Sequence, residues 1–237
     1  MPPLRPGGTA PHVIVADVEV PALADDDRHH LERVRRVRPG DPVSVTDGAG
    51  RWRWCRFGPG LVAESEVVVD VAPAPPIGVA FALVKGARPD LVVQKLTELG
   101  VDRIVPFVAE RSVVRWDDAK GAKQSERLDR IAREASMQSR RTWLPVVEAV
   151  TTFDEVVGRD GVVAADIGAS APAAGAALVM VGPEGGWSDA ERARLPAFVG
   201  LGPTVLRAET AAIAAGAVLA ALRAGVVGLV DPSGRVL

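Results

Sequence analysis

Two glycine-rich segments contain the residues whose types and spacing could do chemistry. The first glycine segment, Gly182-Pro-Glu-Gly-Gly-Trp-Ser188, follows an apolar run from Ala177 to Val181. The second glycine segment, from Leu201 to Thr210, reads Leu-Gly-Pro-Thr-Val-Leu-Arg-Ala-Glu-Thr and follows the apolar run Phe198 to Leu201. Both runs are predicted strands, and open α/β sheets bind ligands at the carboxyl ends of their strands. Because glycine lets the backbone approach a ligand closely, the segments predict a pocket, although such residues also occur in plain tight turns.

These segments lack the patterns of several common ligand-binding or catalytic loops. A phosphate-binding P-loop needs Gly-Lys-Ser/Thr, which the first glycine segment does not contain. A dinucleotide site needs Gly-x-Gly-x-x-Gly early in a βαβ unit, and a serine hydrolase needs a histidine base, whereas every histidine lies in residues 12–30. The charged groups nearby are Arg207 and Glu209. A pocket of backbone groups, apolar side chains and these two charges suits a nucleoside-containing cofactor.

The distribution of charge favours a polyanion as a partner. The 237-residue chain has a formal net charge of −2, yet residues 28–56 hold eight arginines against three acids. Residues 111–141 hold nine lysines and arginines against five acids. Since lysine and arginine make the contacts to phosphates, both stretches favour binding to nucleic acid. Each stretch is equally typical of a solvated helix face, and the sequence leaves both interpretations open.

Other features of the composition bear on compartment, metal and membrane. The single cysteine, Cys55, excludes an internal disulfide and a multi-cysteine metal site, and the histidines lack zinc-ligand spacing. The first eight residues contain no apolar signal segment. The apolar run Ala211 to Leu222 is shorter than the roughly 20 residues that span a bilayer. We therefore expect a cytoplasmic protein with no metal and no membrane segment.

The order of predicted elements indicates two domains. Residues 1–71 alternate short β-rich runs with turns, which predicts a small β-barrel or sandwich interrupted by one helix from His29 to Val37. Residues 72–78, Ala-Pro-Ala-Pro-Pro-Ile-Gly, form a stiff linker. In residues 79–237 strands and helices alternate, which predicts an α/β domain with a mainly parallel sheet.

The boundaries of these elements follow from apolar periodicity and stop signals. Besides the two runs before the glycine segments, the predicted strands are Val13 to Val15, Val43 to Thr46, Arg51 to Phe57, Val67 to Val71, Val79 to Val84, Arg103 to Phe107 and Gly161 to Ala165. The predicted helices of the second domain are Pro89 to Leu99, Glu126 to Ser139, Thr152 to Val157 and about Thr210 to Ala224. Pro89 suits a first helical turn, Gly100 suits a helix stop, and Ser188 to Glu191 fits a capping box.

The glycine segments, taken with several other blocks, resemble a known family. Gly182 to Glu191 and Leu201 to Ala211 are similar to the two signature loops of the bacterial 16S ribosomal RNA uracil-N3 methyltransferases, the RsmE family of the SPOUT superfamily. Similar blocks follow the family's order upstream: His30 to Asp41, Gln94 to Gly100, Pro106 to Val114, and Arg133 to Arg140 with Pro145. Nearly the whole chain is covered, except that only Arg5 matches the family's opening segment.

The resemblance implies a fold, a cofactor and a reaction. The fold would be an N-terminal PUA-like RNA-binding β-barrel and a C-terminal SPOUT α/β domain with a deep trefoil knot, assembled as a homodimer. The cofactor would be S-adenosyl-L-methionine (SAM), without a metal. The reaction would be N3 methylation of one uridine, uridine 1498, in the 16S rRNA of the small ribosomal subunit. A SPOUT enzyme acting on another rRNA or tRNA position and a non-catalytic rRNA-binding protein remain as alternatives.

The resemblance also assigns residues to the reaction site. Ten residues are expected to bind the cofactor: Val181, Gly182, Pro183, Glu184, Gly185, Gly186, Leu201, Gly202, Leu206 and Thr210. Glu184 and Thr210 would fix the loops through hydrogen bonds. Arg207 would stabilise the uridine anion or a phosphate, and Glu209 would orient or deprotonate the base. For Glu209, an ion pair that braces the fold is an equally good interpretation.

Seven arginines are expected to contact RNA: Arg5, Arg33, Arg36, Arg38, Arg111, Arg140 and Arg141. Arg140 and Arg141 end a predicted helix, where arginine also complements the helix dipole. Trp52 and Trp54 lie two residues apart on a predicted strand and share one face, which favours barrel core over a platform for base stacking.

Overall fold

The structure is a computed structural model that describes residues 6, 9–114, 118–169 and 176–228. The chain divides into two compact units. The N-terminal unit comprises residues 1–72 and 133–144, and the C-terminal unit comprises residues 73–132 and 145–237. The sequence analysis assigned residues 133–144 to the second domain, whereas the structure groups this inserted segment with the N-terminal unit. The reason is a set of side-chain contacts between the inserted segment and the N-terminal strands.

A five-stranded sheet forms the frame of the N-terminal unit. Its strands are β1 (His12–Ile14), β2 (Pro42–Thr46), β3 (Arg51–Arg56), β4 (Val62–Ala63) and β5 (Val68–Val69). β1 runs parallel to β2, and β3 is antiparallel to β2, β4 and β5. Four of these strands lie in or next to predicted runs, while the two-residue β4 has no predicted counterpart.

One helical element interrupts these strands, as predicted, but it begins earlier. α1 (Asp25–His29) continues directly into a π-helical turn, His30–Val34, so that the element covers 25–34 and not His29 to Val37. Three aspartates occupy the first turn of α1. Because carboxylates are stabilised at a helix N-terminus, they account for the earlier start.

Alternate residues of the strands build an apolar core on one face of this sheet. Val43 and Val45 of β2 and Cys55 of β3 are fully buried there. They pack against Leu31 of the π-helical turn and Met137 of the inserted segment. Burial raises the pKa of the Cys55 thiol to about 11, because a thiolate loses its hydration inside the core.

Polar contacts of the inserted segment cover the opposite face. Trp52 is fully buried, and its indole N–H donates to Asp70 Oδ1 over 3.2 Å. The Thr142 hydroxyl donates to the other oxygen of that carboxylate over 2.6 Å. His12 Nε2 lies 3.1 Å from the carbonyl oxygen of Arg141, so that this nitrogen carries the proton. Burial lowers the pKa of His12 to about 4, which keeps the ring neutral at pH 7.

The C-terminal unit is an α/β domain with a parallel sheet, as the alternation of elements predicted. Its strands are β6 (Gly78–Ala82), β7 (Arg103–Val108), β8 (Val146–Val147), β9 (Thr151–Thr152), β10 (Val162–Ala165), β11 (Leu178–Val181) and β12 (Phe198–Val199). They lie in the order β12-β10-β11-β6-β7-β8, with β9 also paired to β7, and every pair is parallel. The helices are α2 (Arg88–Glu98), α3 (Asp118–Ser139), α4 (Phe153–Val157), α5 (Asp189–Arg192) and α6 (Ala208–Arg223). The last turns of α3 belong to the inserted segment.

Both faces of this sheet are covered, which explains its continuous apolar strands. β6 and β11 are buried along their whole length, as strands between two layers are. Val79 and Phe81 of β6 join an apolar cluster with residues of α2 and α6. Ala80 and Ala82 point to the opposite face and join a second cluster, which contains Trp187.

Helix boundaries follow the predicted stop signals more closely than the predicted starts. Gly100 after α2 and Gly225 after α6 have φ angles of +87° and +65°, in the left-handed region that favours glycine. α6 begins at Ala208, two residues before the predicted start, and α3 begins eight residues early at Asp118. The predicted strand from Phe198 to Leu201 contains only Phe198–Val199, so the second glycine segment follows a very short strand.

Candidate functional site

A cleft of about 570 Å³ opens at the carboxyl ends of three neighbouring parallel strands, β10, β11 and β12. Its walls come from residues 165–167 after β10, from the first glycine segment after β11, and from the second glycine segment at the start of α6. Arg192 of α5 and Ala211 of α6 complete the lining. Parallel α/β sheets bind small ligands at this edge, and the volume is in the range of ligand pockets.

Trp187, near the end of the first glycine segment, packs against the start of the segment and anchors it. The indole ring is 8% exposed and stacks on Phe107, with ring centroids 6.2 Å apart. Its Nε1–H donates to the carbonyl oxygen of Ala165 over 3.3 Å, which joins this segment to the wall after β10. A Cβ on Gly182 would lie 3.0 Å from the indole ring. Glycine at this position therefore allows the backbone to lie flat on the tryptophan.

A capping box fixes the end of the first glycine segment, as the sequence predicted. The Ser188 hydroxyl accepts the Glu191 backbone N–H, and the Glu191 carboxylate accepts the Ser188 backbone N–H, both over 3.1 Å. The other Glu191 carboxylate oxygen accepts the Glu110 backbone N–H over 2.7 Å. The neighbouring Arg111 donates to the Gly185 carbonyl oxygen over 3.1 Å. The loop after β7 thus holds the outer side of this segment.

Two glycines of the cleft have backbone conformations that other residues rarely adopt. Gly186 has a φ of +70° and Gly202 has a φ of +139°. Apart from the adjoining residues, no atom of the described chain lies within 4 Å of a Cβ built at either position. Glycine is therefore required by the backbone turn and not by lack of space.

An arginine that the sequence analysis did not select joins the two glycine segments. Arg88, in the first turn of α2, donates from Nη1 to Glu184 Oε1 over 2.8 Å. Its Nε lies 3.6 Å from Glu209 Oε1. The Glu209 side chain is 12% exposed, and its Oε2 is buried without a hydrogen-bond partner among the described residues. Arg88 thus supplies the cation for one carboxylate from each glycine segment. In the sequence, the one feature that could have indicated this role is the position of Arg88 shortly after strand β6.

Most of the predicted cofactor residues surround this cleft. Eight of them line it: Val181, Gly182, Pro183, Glu184, Gly186, Leu201, Gly202 and Leu206. Gly185 faces Arg111 and lies outside the lining, and Thr210 is exposed on α6, also outside it. Arg207 is the N-cap residue of α6, is exposed and lines the cleft. Glu209 is not part of the lining and contacts Arg88.

The sequence analysis missed the wall after β10. Ala165, Asp166 and Ile167 line the cleft, and Asp166 pairs with Arg192. The Arg192 guanidinium also lies 4.5 Å from the centroid of the Phe198 ring. A signal was available, because the predicted strand ending at Ala165 is parallel to β11 and must end at the same edge.

The predicted RNA-binding arginines fall in both units. Arg111 lies beside the first glycine segment. Arg33, Arg36 and Arg38 are exposed in and after the π-helical turn of the N-terminal unit, and Arg140 and Arg141 lie in its inserted segment. Arg140 Nη2 donates to the Ala10 carbonyl oxygen over 3.2 Å. Arg5 lies outside the described residues.

Metal-binding clusters and membrane-spanning helices are both absent from the part of the chain that the structure describes. No group of three or more histidine, cysteine, aspartate or glutamate side chains there could hold a metal ion. No helix there is long and apolar enough to cross a membrane.

Comparison with known proteins connects this cleft to a family of enzymes. Residues 72–220 match the family described as RNA methyltransferase domain, and residues 23–57 match the RNA methyltransferase PUA domain. The chain is 36% identical over 228 residues to the ribosomal RNA small subunit methyltransferase E of Mycobacterium tuberculosis, covering 85% of this chain and 87% of that protein. It is 33% identical over 220 residues to the enzyme of the same name from Bacillus subtilis, covering 80% of this chain and 85% of that protein.

Solved structures agree with these relatives. A ribosomal RNA small subunit methyltransferase E from Neisseria gonorrhoeae bound to SAM is 28% identical, with a TM-score of 0.76 over 90% of this chain and 98% of that one. A methyltransferase from Legionella pneumophila in complex with SAM is 27% identical, with a TM-score of 0.78 over the same shares of the two chains. The resemblance predicted from the sequence is confirmed: the chain belongs to the RsmE family of ribosomal RNA small subunit methyltransferases.

Proposed function

We propose that this protein transfers a methyl group from SAM to N3 of one uridine, uridine 1498, in the 16S rRNA of the small ribosomal subunit. Membership of the RsmE family makes the chain an rRNA methyltransferase. The observation that carries the proposal is the cleft, where the two glycine segments meet at adjacent strand ends. Two structural relatives hold SAM, as their descriptions state.

The residues of the cleft fit such a cofactor. Its volume of about 570 Å³ suits a nucleoside-containing ligand, and its wall includes three glycines, whose backbone can offer N–H and C=O groups at close range. Gly182, Gly186 and Gly202 would approach the cofactor, with Leu201 and Leu206 as apolar walls. When bound, SAM supplies a methyl group on a positively charged sulfur.

Arg207 is the residue best situated to act on the uridine. Uridine N3 carries a proton at neutral pH, so the site must favour the anion for N3 to become a nucleophile. Arg207 lines the cleft with an exposed side chain at the start of α6. A guanidinium there would lower the pKa of the uridine N3–H and hold the resulting anion.

We assign Glu209 an orienting role. Its carboxylate contacts Arg88 and is not part of the cleft lining. This arrangement favours bracing of the first turn of α6, and hence of Arg207, over direct removal of the uridine proton. Glu184 would brace the first glycine segment in the same way, since it binds the same arginine.

The trefoil knot, the homodimer and the RNA-binding barrel belong to the same proposal. Support for the knot comes from the path of the chain, which leaves β11, forms β12 beyond β10, and returns so that α6 packs on β6 and β11. Support for a dimer comes from exposed apolar side chains at Val205 and Val226. The match of residues 23–57 to a PUA domain supports RNA binding by the N-terminal unit. We place the reaction in the cytoplasm, with the ribosome.

Methyl transfer to small ribosomal subunits tests this proposal. Subunits that lack the modification are incubated with labelled SAM and the protein, and the labelled nucleoside is identified by mass spectrometry. We expect 3-methyluridine at one 16S site. Label at another position would support a different target for the same chemistry. Cofactor binding without any transfer would favour an rRNA-binding protein without catalytic activity.

A further inference from the structure

The eight arginines between residues 28 and 56 form two sets with different surroundings. The first set is bonded to carboxylates or carbonyl oxygens of the same unit: Arg28, Arg51, Arg53 and Arg56. The second set has exposed side chains for which no hydrogen bond or ion pair is found within the described residues: Arg33, Arg35, Arg36 and Arg38. The uncommitted positive charge of this stretch is therefore concentrated in residues 33–38, where it is available to an anion.

Arg36 has a backbone conformation that favours glycine. It follows the π-helical turn and has a φ of +56°. The Val37 N–H closes the turn onto the Leu31 carbonyl oxygen over 3.0 Å, as in a helix that ends with a left-handed residue. The equivalent positions are Gly100 after α2, Gly225 after α6 and Arg140 after α3, which has a φ of +58°. The Arg140 side chain donates to the Ala10 carbonyl oxygen, whereas the Arg36 side chain has no hydrogen bond or ion pair within the described residues to offset the cost of its backbone conformation.

Arg35 and Arg36 line a second cavity, which lies in the N-terminal unit and measures about 570 Å³. Trp54 forms part of its wall. The ring of Trp54 is only half-buried, whereas Trp52 on the same strand face is fully buried. The indole nitrogen of Trp54 is itself buried and has no hydrogen-bond partner among the described residues, so the exposed part of this side chain is ring carbon. The tryptophan pair that the sequence assigned to the core is thus divided between core and cavity wall.

The acids of this cavity are already bonded. Asp41 Oδ2 accepts the Arg38 backbone N–H over 2.7 Å, and Glu64 pairs with Arg56. The free groups of the wall are therefore two guanidiniums and an aromatic ring. Guanidiniums recognise phosphate, and aromatic rings stack on bases without regard to sequence.

We propose that this cavity binds one unpaired nucleotide of the RNA, with the base against Trp54 and the phosphate at Arg35 and Arg36. The inference rests on the proposed function, because it takes RNA as the substrate. It adds a second nucleotide contact in the N-terminal unit, separate from the cleft that holds the methylated base. Phosphate binding would explain why an arginine occupies this left-handed backbone position, because the side chain is needed for the phosphate although it lowers stability.

Affinity for single-stranded RNA, measured on the full-length protein, tests this inference. The probe is a fluorescein-labelled octauridylate, titrated at several KCl concentrations. Trp54→Leu should weaken binding about tenfold without changing the salt dependence, because a stacking contact carries no charge. The double variant Arg35→Ser with Arg36→Gly should lower the slope of log affinity against log salt by about 0.7, the value for the loss of one phosphate contact.

Two controls separate this effect from unfolding and from general loss of charge. Arg36→Gly alone should unfold at the same temperature as the wild type or higher, since glycine relieves the left-handed backbone, and yet bind RNA more weakly. Arg51→Ser removes an exposed arginine that is bonded to Glu19, so RNA affinity should stay as in the wild type. Equal RNA affinity of wild type, Trp54→Leu and Arg36→Gly would overturn the inference.

Methyl transfer by the wild type, measured in parallel, distinguishes this inference from the proposed function. If the wild type methylates uridine while the cavity variants bind RNA normally, the cavity inference fails and the proposed function stands. If the wild type transfers no methyl group while the cavity variants lose RNA affinity, the proposed function fails and the cavity inference stands.

Discussion

Replacing Arg88 tests whether the two glycine segments are held together by one side chain. Arg88→Met removes the cation between Glu184 and Glu209 and keeps most of the side-chain volume. The contact with Glu184 joins two side chains that are each 40% exposed, so it contributes only about 0.2–1 kcal/mol. Glu209 is 12% exposed and would lose its cation, which costs on the order of 1–3 kcal/mol. Together we expect a loss of about 2 kcal/mol in the free energy of unfolding.

The same loss sets an upper bound for the effect on cofactor binding. If Arg88 holds both walls in the binding conformation, about 2 kcal/mol corresponds to a weakening of SAM affinity by roughly 25-fold at most, and we expect about tenfold. In thermal unfolding the midpoint should fall by about 4–8 °C, from roughly 2–4 °C per kcal/mol for a chain of this size. Isothermal titration calorimetry with SAM and a thermal melt give both values.

Arg127→Met is the matched control. Arg127 pairs with Asp90, which also lies in the first turn of α2, but neither residue lines the cleft. It should lower stability slightly and leave SAM affinity unchanged. Equal SAM affinity of Arg88→Met and Arg127→Met would contradict the role given to Arg88. Strictly additive effects of Arg88→Met and Glu184→Gln on SAM affinity would contradict it as well. Arg88→Lys serves if the methionine variant does not fold.

The remaining predictions concern single positions. Gly185→Val should weaken SAM binding in calorimetry while circular dichroism stays native, because a Cβ there lies 3.3 Å from Arg111 Cβ and the larger side chain would displace the segment whose other residues line the cleft. Unchanged affinity would show that the contact with Arg111 does not position this wall of the cleft. Arg207→Ala should keep SAM affinity but slow methyl transfer by about 100-fold or more, as loss of an anion-stabilising group does, and equal turnover would exclude the assigned role. Glu209→Gln should lower thermal stability and slow methyl transfer by less than about tenfold. A fall of about 1,000-fold in the rate of methyl transfer would instead identify Glu209 as the group that removes the uridine proton. The folded state holds His12 neutral, with a pKa of about 4 against the ordinary 6.5. The stability that His12 contributes is therefore complete above pH 6.5 and is lost as the pH falls from 6.5 towards 4. Urea unfolding should show a free energy of unfolding about 2 kcal/mol lower at pH 5 than at pH 7, and His12→Gln should remove this difference.

Patterns within one element predicted much of the fold. Apolar runs placed five of the seven strands of the parallel sheet but not the two-residue strands β8 and β9, and stop signals such as Gly100 and Gly225 gave the ends of α2 and α6 within one residue. The capping box at Ser188 was also predictable from local sequence, because its two partners lie three residues apart. Two glycine-rich segments after two strands were enough to indicate one cleft at a sheet edge.

Features that depend on distant contacts were not predictable in the same way. Arg88 lies more than ninety residues before Glu184 in sequence, and nothing in its neighbours marks it as the partner of that carboxylate. Thr210 sits in a signature block, yet the turn of α6 directs it away from the cleft. The β-branched and aromatic residues of β3 predicted a strand, but only the packing of the inserted segment distinguishes buried Trp52 from half-buried Trp54.

The inserted segment has a consequence for synthesis on the ribosome. The strands of the N-terminal unit are complete by residue 69, but its packing also needs the inserted segment, residues 133–144. Met137 packs on its core, and Thr142 and the Arg141 carbonyl oxygen form hydrogen bonds with it. At about 5–20 residues per second, translation of residues 73–144 takes roughly 4–14 s. During that interval the buried positions of β3 that the inserted segment covers must stay exposed to solvent or to a chaperone. A fragment that ends at residue 72 would remain in that incomplete state permanently.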